Sequence, residues 1–134
     1  MGTTKKTRSK EAKAPKVHLE DDATRHQAEG RTEPRPCTDL ANAERLVERH
    51  GREIRWCPDN KRWYVWQDRR WVIDTEGKMH RMAFEVARSI KAEAKNESLT
   101  SDEKVELKKH AKKSASKGRI QAMIDLAKYF DGIS

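Results

Sequence analysis

The chain has little of what staples, spans or catalyses. Its 134 residues include two cysteines, Cys37 and Cys57, which give no disulfide framework and suit a reducing, cytoplasmic setting. No apolar run approaches the roughly 18 residues a membrane span requires. No apolar stretch follows the basic residues at the N-terminus either, so neither a membrane partner nor a secretory signal is expected. Cys37, His50, Cys57, His80 and His110 are scattered, without the short pairings that hold zinc, so no metal and no other cofactor is expected. There is no G-x-x-x-x-G-K-[ST] phosphate loop: Gly118-Arg119 follows Lys117 without the glycine spacing or the lysine–hydroxyl pair. Cys57 with His50, and Asp68 with Asp74, come nearest to catalytic pairs. The first reads as a strand cysteine and the second as turn and strand-end caps. Nothing here makes an enzyme.

Apolar residues are also scarce, at 34% against 39% charged, which is lean for a wholly globular chain. The shortage is concentrated in residues 1–36, which hold no aromatic residue and, besides Met1, only Val17 and Leu19 as large aliphatics. Such a segment buries too little to offset the entropy of ordering it. A disordered tail is therefore expected over 1–36. Its first half is basic (Lys5, Lys6, Arg8, Lys10, Lys13, Lys16), its middle carries Glu20-Asp21-Asp22, and Pro34 and Pro36 end it. It reads as a solvated leader, or as a basic arm touching DNA phosphates. The expected folded domain, 37–134, still carries 21 basic and 16 acidic residues, so the formal charge of +8 is not only a tail effect. A balance of this size favours nucleic acid as partner.

Within 37–134 the local signals order themselves as α-β-β-β-α-α-α. Thr38 or Asp39 can cap a helix over about 39–50. Leu40, Ala43, Leu46 and Val47 form its apolar face, Glu44, Arg45, Glu48 and Arg49 its charged outer face, and Gly51 offers a left-handed residue to close it. Strands follow at about 53–57, 62–67 and 70–73, separated by the turn Pro58-Asp59-Asn60-Lys61 and a short turn over 67–69. Helices are expected over 79–95, over 101–113 behind a capping box of Thr100 and Glu103, and over 117–130. The expected class is α+β: an N-terminal helix, a three-stranded antiparallel meander, then three helices packed on one face of the sheet.

All four tryptophans fall between Trp56 and Trp71, interleaved with arginines. Such a cluster suits both a strand core and a nucleic-acid surface. Trp63 and Trp71 are expected in the core. Tyr64 and Trp66, on the opposite strand face, are the candidates for base stacking. A second candidate is a run of lysines. Lys104, Lys108 and Lys112 repeat every four residues, and Lys109, Lys113 and Lys117 form an adjacent row. Charge runs are usually solvated faces, but two lysine rows exceed what solubility requires. The expected DNA contacts are Lys108, Lys109, Lys112, Lys113 and Arg119, followed by Arg62, Arg69 and Arg70.

Two stretches carry a family resemblance. One runs Thr38-Asp39-Leu40-Ala41-Asn42-Ala43-Glu44-Arg45 and ends in His50-Gly51. The other comprises Arg55-Trp56-Cys57-Pro58, Trp63-Tyr64-Val65-Trp66 and Arg70-Trp71-Val72-Ile73-Asp74. Together they resemble the poxvirus-type primase-helicase N-terminal domain, which in phage and plasmid primases precedes a superfamily 3 helicase motor. The resemblance covers about residues 38–130. Ala41 stands where that family usually has glycine, and Gln67-Asp68-Arg69 lacks the usual glycine or asparagine after aspartate. The resemblance implies a non-catalytic accessory domain of a bacterial phage or plasmid replication system. It would bind DNA, or assist a helicase/primase module present in cis or in trans. The alternative is a protein-interaction or oligomerisation module with no direct DNA contact.

Overall fold

The computed structural model describes residues 35–134; the expectation of a disordered tail falls mostly outside that range. Arg35 already grips the first helix, its guanidinium lying 2.5 and 2.6 Å from the Glu48 carboxylate. That helix, α1, spans Asp39–His50 and is capped by Thr38, whose Oγ1 accepts from the Ala41 N–H at 3.0 Å. Ala43, Leu46 and Val47 are buried as expected. Two residues of α1 exchange the places expected of them: Leu40 is 53% exposed and Arg45 only 4%. The reason is tertiary. Asn42 and Arg45 extend the buried face of α1 sideways, where it meets polar groups of other helices. Gly51 departs too, being right-handed at φ −58°. The chain runs on into a 3₁₀ turn, Gly51–Glu53, so no left-handed residue is needed.

The strands β1 (Ile54–Cys57), β2 (Arg62–Gln67) and β3 (Arg70–Ile73) form the expected antiparallel meander. Ile54 pairs with Val65 and Trp56 with Trp63; across the next ladder Val65 pairs with Val72 and Trp66 with Trp71. Directly opposed residues point to one side of a sheet. Ile54, Trp56, Trp63, Val65 and Val72 therefore make the inner face, against the main core. Trp71, expected in the core beside Trp63, lies on the outer face with Trp66. The hairpin turn sets this: only Asp68 and Arg69 are outside the ladder, both at positive φ (53° and 67°), as a two-residue type I′ hairpin requires. A longer turn would have shifted the register and reversed the faces.

After β3, Asp74 turns the chain into α2 (Lys78–Glu93). Its Oδ1 accepts from the Lys78 N–H and its Oδ2 from the Met79 N–H, both at 2.9 Å. The carboxylate thus satisfies two of the free donors at the helix start. The helices α3 (Ser101–Ser114) and α4 (Lys117–Ala127) complete the fold. Thr100 and Glu103 form the expected capping box on α3: Glu103 Oε1 accepts from the Thr100 N–H at 2.8 Å, and Thr100 Oγ1 from the Glu103 N–H at 3.1 Å.

Two apolar clusters hold these parts. The larger joins α1, α2, α4 and the inner sheet face through Leu46, Ile54, Val65, Met79, Val86 and Met123. The smaller joins the C-terminal half of α2 to α3 through Ile90, Ala94, Leu99, Leu107 and Ala111. So α3 departs from the expected packing of the helices on one sheet face: it is carried at the end of α2 remote from the sheet, because its buried apolar residues cluster with those of α2. Ile133 is fully buried, and its carbonyl accepts from the Trp56 N–H at 2.7 Å, attaching the last residues to the outer edge of β1.

A buried polar cluster fixes α3 against α1. Arg45 donates from Nε and Nη2 to both Glu93 oxygens at 2.8 Å, and from Nη1 to Asn42 Oδ1 at 3.0 Å. Asn42 donates to Ser114 Oγ at 2.9 Å, and His110 Nε2 lies 2.9 Å from Asn42 Oδ1. Asn42, Arg45, His110 and Ser114 are all less than one-tenth exposed. Buried polar groups are tolerated when they are satisfied in this way.

Candidate nucleic-acid interface

The α3 helix turns Leu107 and Ala111 toward α2, and His110 and Ser114 toward α1. Those four residues use up its buried face, so the lysines must face water. Lys108, Lys109, Lys112 and Lys113 are all exposed, as is Lys117 at the start of α4, and Lys104 is half-buried. Two of the nearby carboxylates are in use: Glu103 is taken by the capping box, and Glu106 lies 4.0 Å from Lys109. Among the described residues Lys108, Lys112 and Lys113 form no ion pair. The helix is acidic in its first turn, with Asp102 and Glu103, and basic in its last, with Lys112 and Lys113. That arrangement complements its dipole, which gives those two lysines a structural use as well.

Arg119, expected with these lysines, is exposed on the first turn of α4 and close to them in sequence. Its guanidinium is turned back to α1, 3.1 Å from Asp39 Oδ1. Two cations that the sequence reading missed stand nearer. Arg88 and Lys91 on α2, with Lys108 and Lys112 on α3, line one groove of about 690 Å³ between the two helices. The i, i+3 spacing of Arg88 and Lys91 was visible in the sequence. That α2 would present them beside α3 was not.

The sheet arginines belong to a different region. Arg62, Arg69 and Arg70 are exposed, but Arg62 begins β2 and Arg69 and Arg70 lie at its far end. Six residues of strand set them about 17 Å apart. The β2–β3 turn is tied to the start of α2, where Lys78 Nζ donates to Gln67 Oε1. The groove cations sit near the other end of the same helix. From Lys78 to Lys91 is about 20 Å at 1.5 Å per residue. The structure does not bring these arginines and the lysines together.

Tyr64 and Trp66 are both half-buried on the outer sheet face. Trp66 packs edge-on against Trp71, with ring centroids 5.1 Å apart. The Arg55 guanidinium lies 4.9 Å from the Trp71 ring, in range of a cation–π contact. Burial pulls the Arg55 pKa down to about 10, so the guanidinium remains charged at neutral pH. The Tyr64 hydroxyl accepts from Asn60 Nδ2 at 2.8 Å. Cys37 and Cys57 are free thiols. Among the described residues no three histidines, cysteines or carboxylates gather as a metal site would need, and no helix is long and apolar enough to cross a membrane.

Fold and surface together define a small α+β domain with a lysine-rich helix at one end and an arginine-bearing sheet at the other. The family described as D5 N terminal like matches residues 43–129, well over half of the chain. The chain belongs to this family of primase-helicase N-terminal domains, and is a primase-helicase-associated domain. No curated protein and no solved structure matches it.

Proposed function

We propose that this domain is a non-catalytic accessory module of a phage or plasmid replication system, and that it binds DNA through α3. Lys108, Lys109, Lys112 and Lys113 would contact phosphates, and Arg119 would join them by exchanging Asp39 for a phosphate oxygen. The family supplies the setting: a helicase/primase module in cis or in trans is the partner that DNA binding would serve. The observation that carries the reading is the solvent-facing lysine surface of α3, of which Lys108, Lys112 and Lys113 lack any carboxylate partner among the described residues. Arg62, Arg69 and Arg70 would form a separate, secondary contact, with the half-buried Tyr64 and Trp66 on the outer sheet face as the base-stacking candidates beside it.

Binding by such a surface releases counterions, so its affinity falls steeply with salt. Lys108→Glu combined with Lys112→Glu should weaken DNA binding and flatten the plot of log affinity against log salt by about 0.7–0.9 per lost contact. A slope identical to that of the unaltered chain would remove α3 from the interface. A second reading, a subunit-contact module without DNA, has its own support in five exposed apolar residues: Leu40, Ile73, Phe84, Val105 and Tyr129, the last 82% exposed. Concentration-dependent assembly in the absence of DNA, together with no binding to oligonucleotides at low salt, would favour it.

A further inference from the structure

The groove between α2 and α3 has more than cations. Its rim is Arg88, Lys91, Lys108 and Lys112, and no acidic residue among those described lines it. Its floor is apolar, built from Ala87, Ala111 and Ile120 beside Phe84, which is 41% exposed. None of the four rim cations forms an ion pair among the described residues. A nucleic-acid backbone would satisfy the rim alone and leave the floor wet. An occupant with both aliphatic side chains and carboxylates would satisfy rim and floor together.

The chain itself contains such a segment. Residues 17–22 carry Val17 and Leu19, followed by Glu20-Asp21-Asp22, the longest acidic run in the sequence, and no lysine or arginine. We propose that residues 17–22 dock in the groove between α2 and α3, with Val17 and Leu19 on the floor and the three carboxylates on the rim. Reach permits it. The described chain starts at Arg35, fastened to α1. The stretch from Asp22 to Arg35 spans up to about 45 Å when extended, while the helix to be passed is about 10–12 Å wide. Tethering on that scale keeps the segment at a local concentration in the millimolar range, so weak contacts suffice. The consequence rests on the proposed function: Lys108 and Lys112 would be shared, and the segment would compete with DNA for them.

The test uses the full chain. A nitroxide is attached at Ala23→Cys with Cys37→Ser and Cys57→Ser, and amide signals are compared with those of the reduced label. Docking broadens Phe84, Ala87, Ala111 and Lys112, and spares Trp66 and Trp71 on the far sheet face. Even broadening over the whole surface, or none at the groove, overturns the proposal. Broadening that vanishes on tenfold dilution assigns the contact to a second copy and overturns it equally. If the cysteine replacements disturb the fold, the amide shifts of the unlabelled chain are compared with those of Glu20→Lys, Asp21→Lys, Asp22→Lys. Changes centred on the groove support docking, and their absence refutes it. The neutralised variant Glu20→Gln, Asp21→Asn, Asp22→Asn, which adds no cation, should bind DNA about three- to tenfold more tightly at low salt, from the loss of competing exposed ion pairs. Because the label reads the contact without DNA, a failure of DNA binding and a failure of docking are separable.

Discussion

Removing Glu93 should harm this domain more than removing Arg45, although Arg45 is the more deeply buried partner. The two form a bidentate pair at 2.8 Å, with side-chain exposures of 4% for Arg45 and 38% for Glu93. What matters is what each deletion leaves behind. Glu93→Ala strands a guanidinium that is itself only 4% exposed, with Asn42 Oδ1 as its remaining acceptor among the described residues. Breaking a buried pair in that way costs about 3–5 kcal/mol. Arg45→Met keeps the aliphatic bulk and leaves Glu93 free to rehydrate, while Asn42 Oδ1 retains His110 as a partner. That loss should be nearer about 1–2 kcal/mol, in the range of a charge-assisted hydrogen bond. For a domain of this size each kcal/mol moves the midpoint by about 4–8 °C, so the two variants should be well separated in a thermal or urea melt. The double variant should be less damaged than the sum of the singles, because the stranded charge is gone. If Arg45→Met proved as destabilising as Glu93→Ala, rehydration of the freed Glu93 would not be what separates the two deletions.

Arg69→Gly should stabilise the domain by about 1 kcal/mol, because Arg69 holds a φ of 67° that a side chain disfavours; a lower urea midpoint would contradict this. Asp74→Ala should cost about 1–2 kcal/mol by uncapping α2, and the lost protection should appear in hydrogen exchange at Lys78 and Met79. Burial, and then the nearby Arg45 charge, push the His110 pKa below its ordinary 6.5. The unfolded chain therefore takes up this proton first, so the stabilising contribution is complete above about pH 6.5 and is lost as the pH falls through the folded value. His110→Gln should flatten the dependence of the urea midpoint between pH 5 and 7, by at most about 1.4 kcal/mol per pH unit. An unchanged slope would show that other groups carry it.

The element order was legible because each signal was local. Thr100 with Glu103, the proline-led turn after Cys57, and the apolar spacing from Met79 to Ile90 each depend on a few adjacent residues. What misled was non-local. The face of Trp71 turned on whether the second hairpin had two residues or three. The places of Leu40 and Arg45 turned on which helices α1 would meet. The candidate site divides in the same way. The lysine rows were readable from α3 alone, because an i, i+4 repeat needs no partner. The contribution of Arg88 and Lys91 was not, because it exists only once Leu107 and Ala111 have seated α3 on α2. Nor could sequence reveal that Arg119 would be drawn to Asp39, eighty positions away.

The α2 rod also acts as a ruler. Lys78, beside the sheet hairpin, and Lys91, in the groove, are set about 20 Å apart by hydrogen-bonded backbone, close to six base-pair steps at 3.4 Å each. Thirteen residues at about 100° each also turn the two lysines about 140° apart around the helix axis, so a straight duplex lying along α2 would meet the cation at one end and not the other.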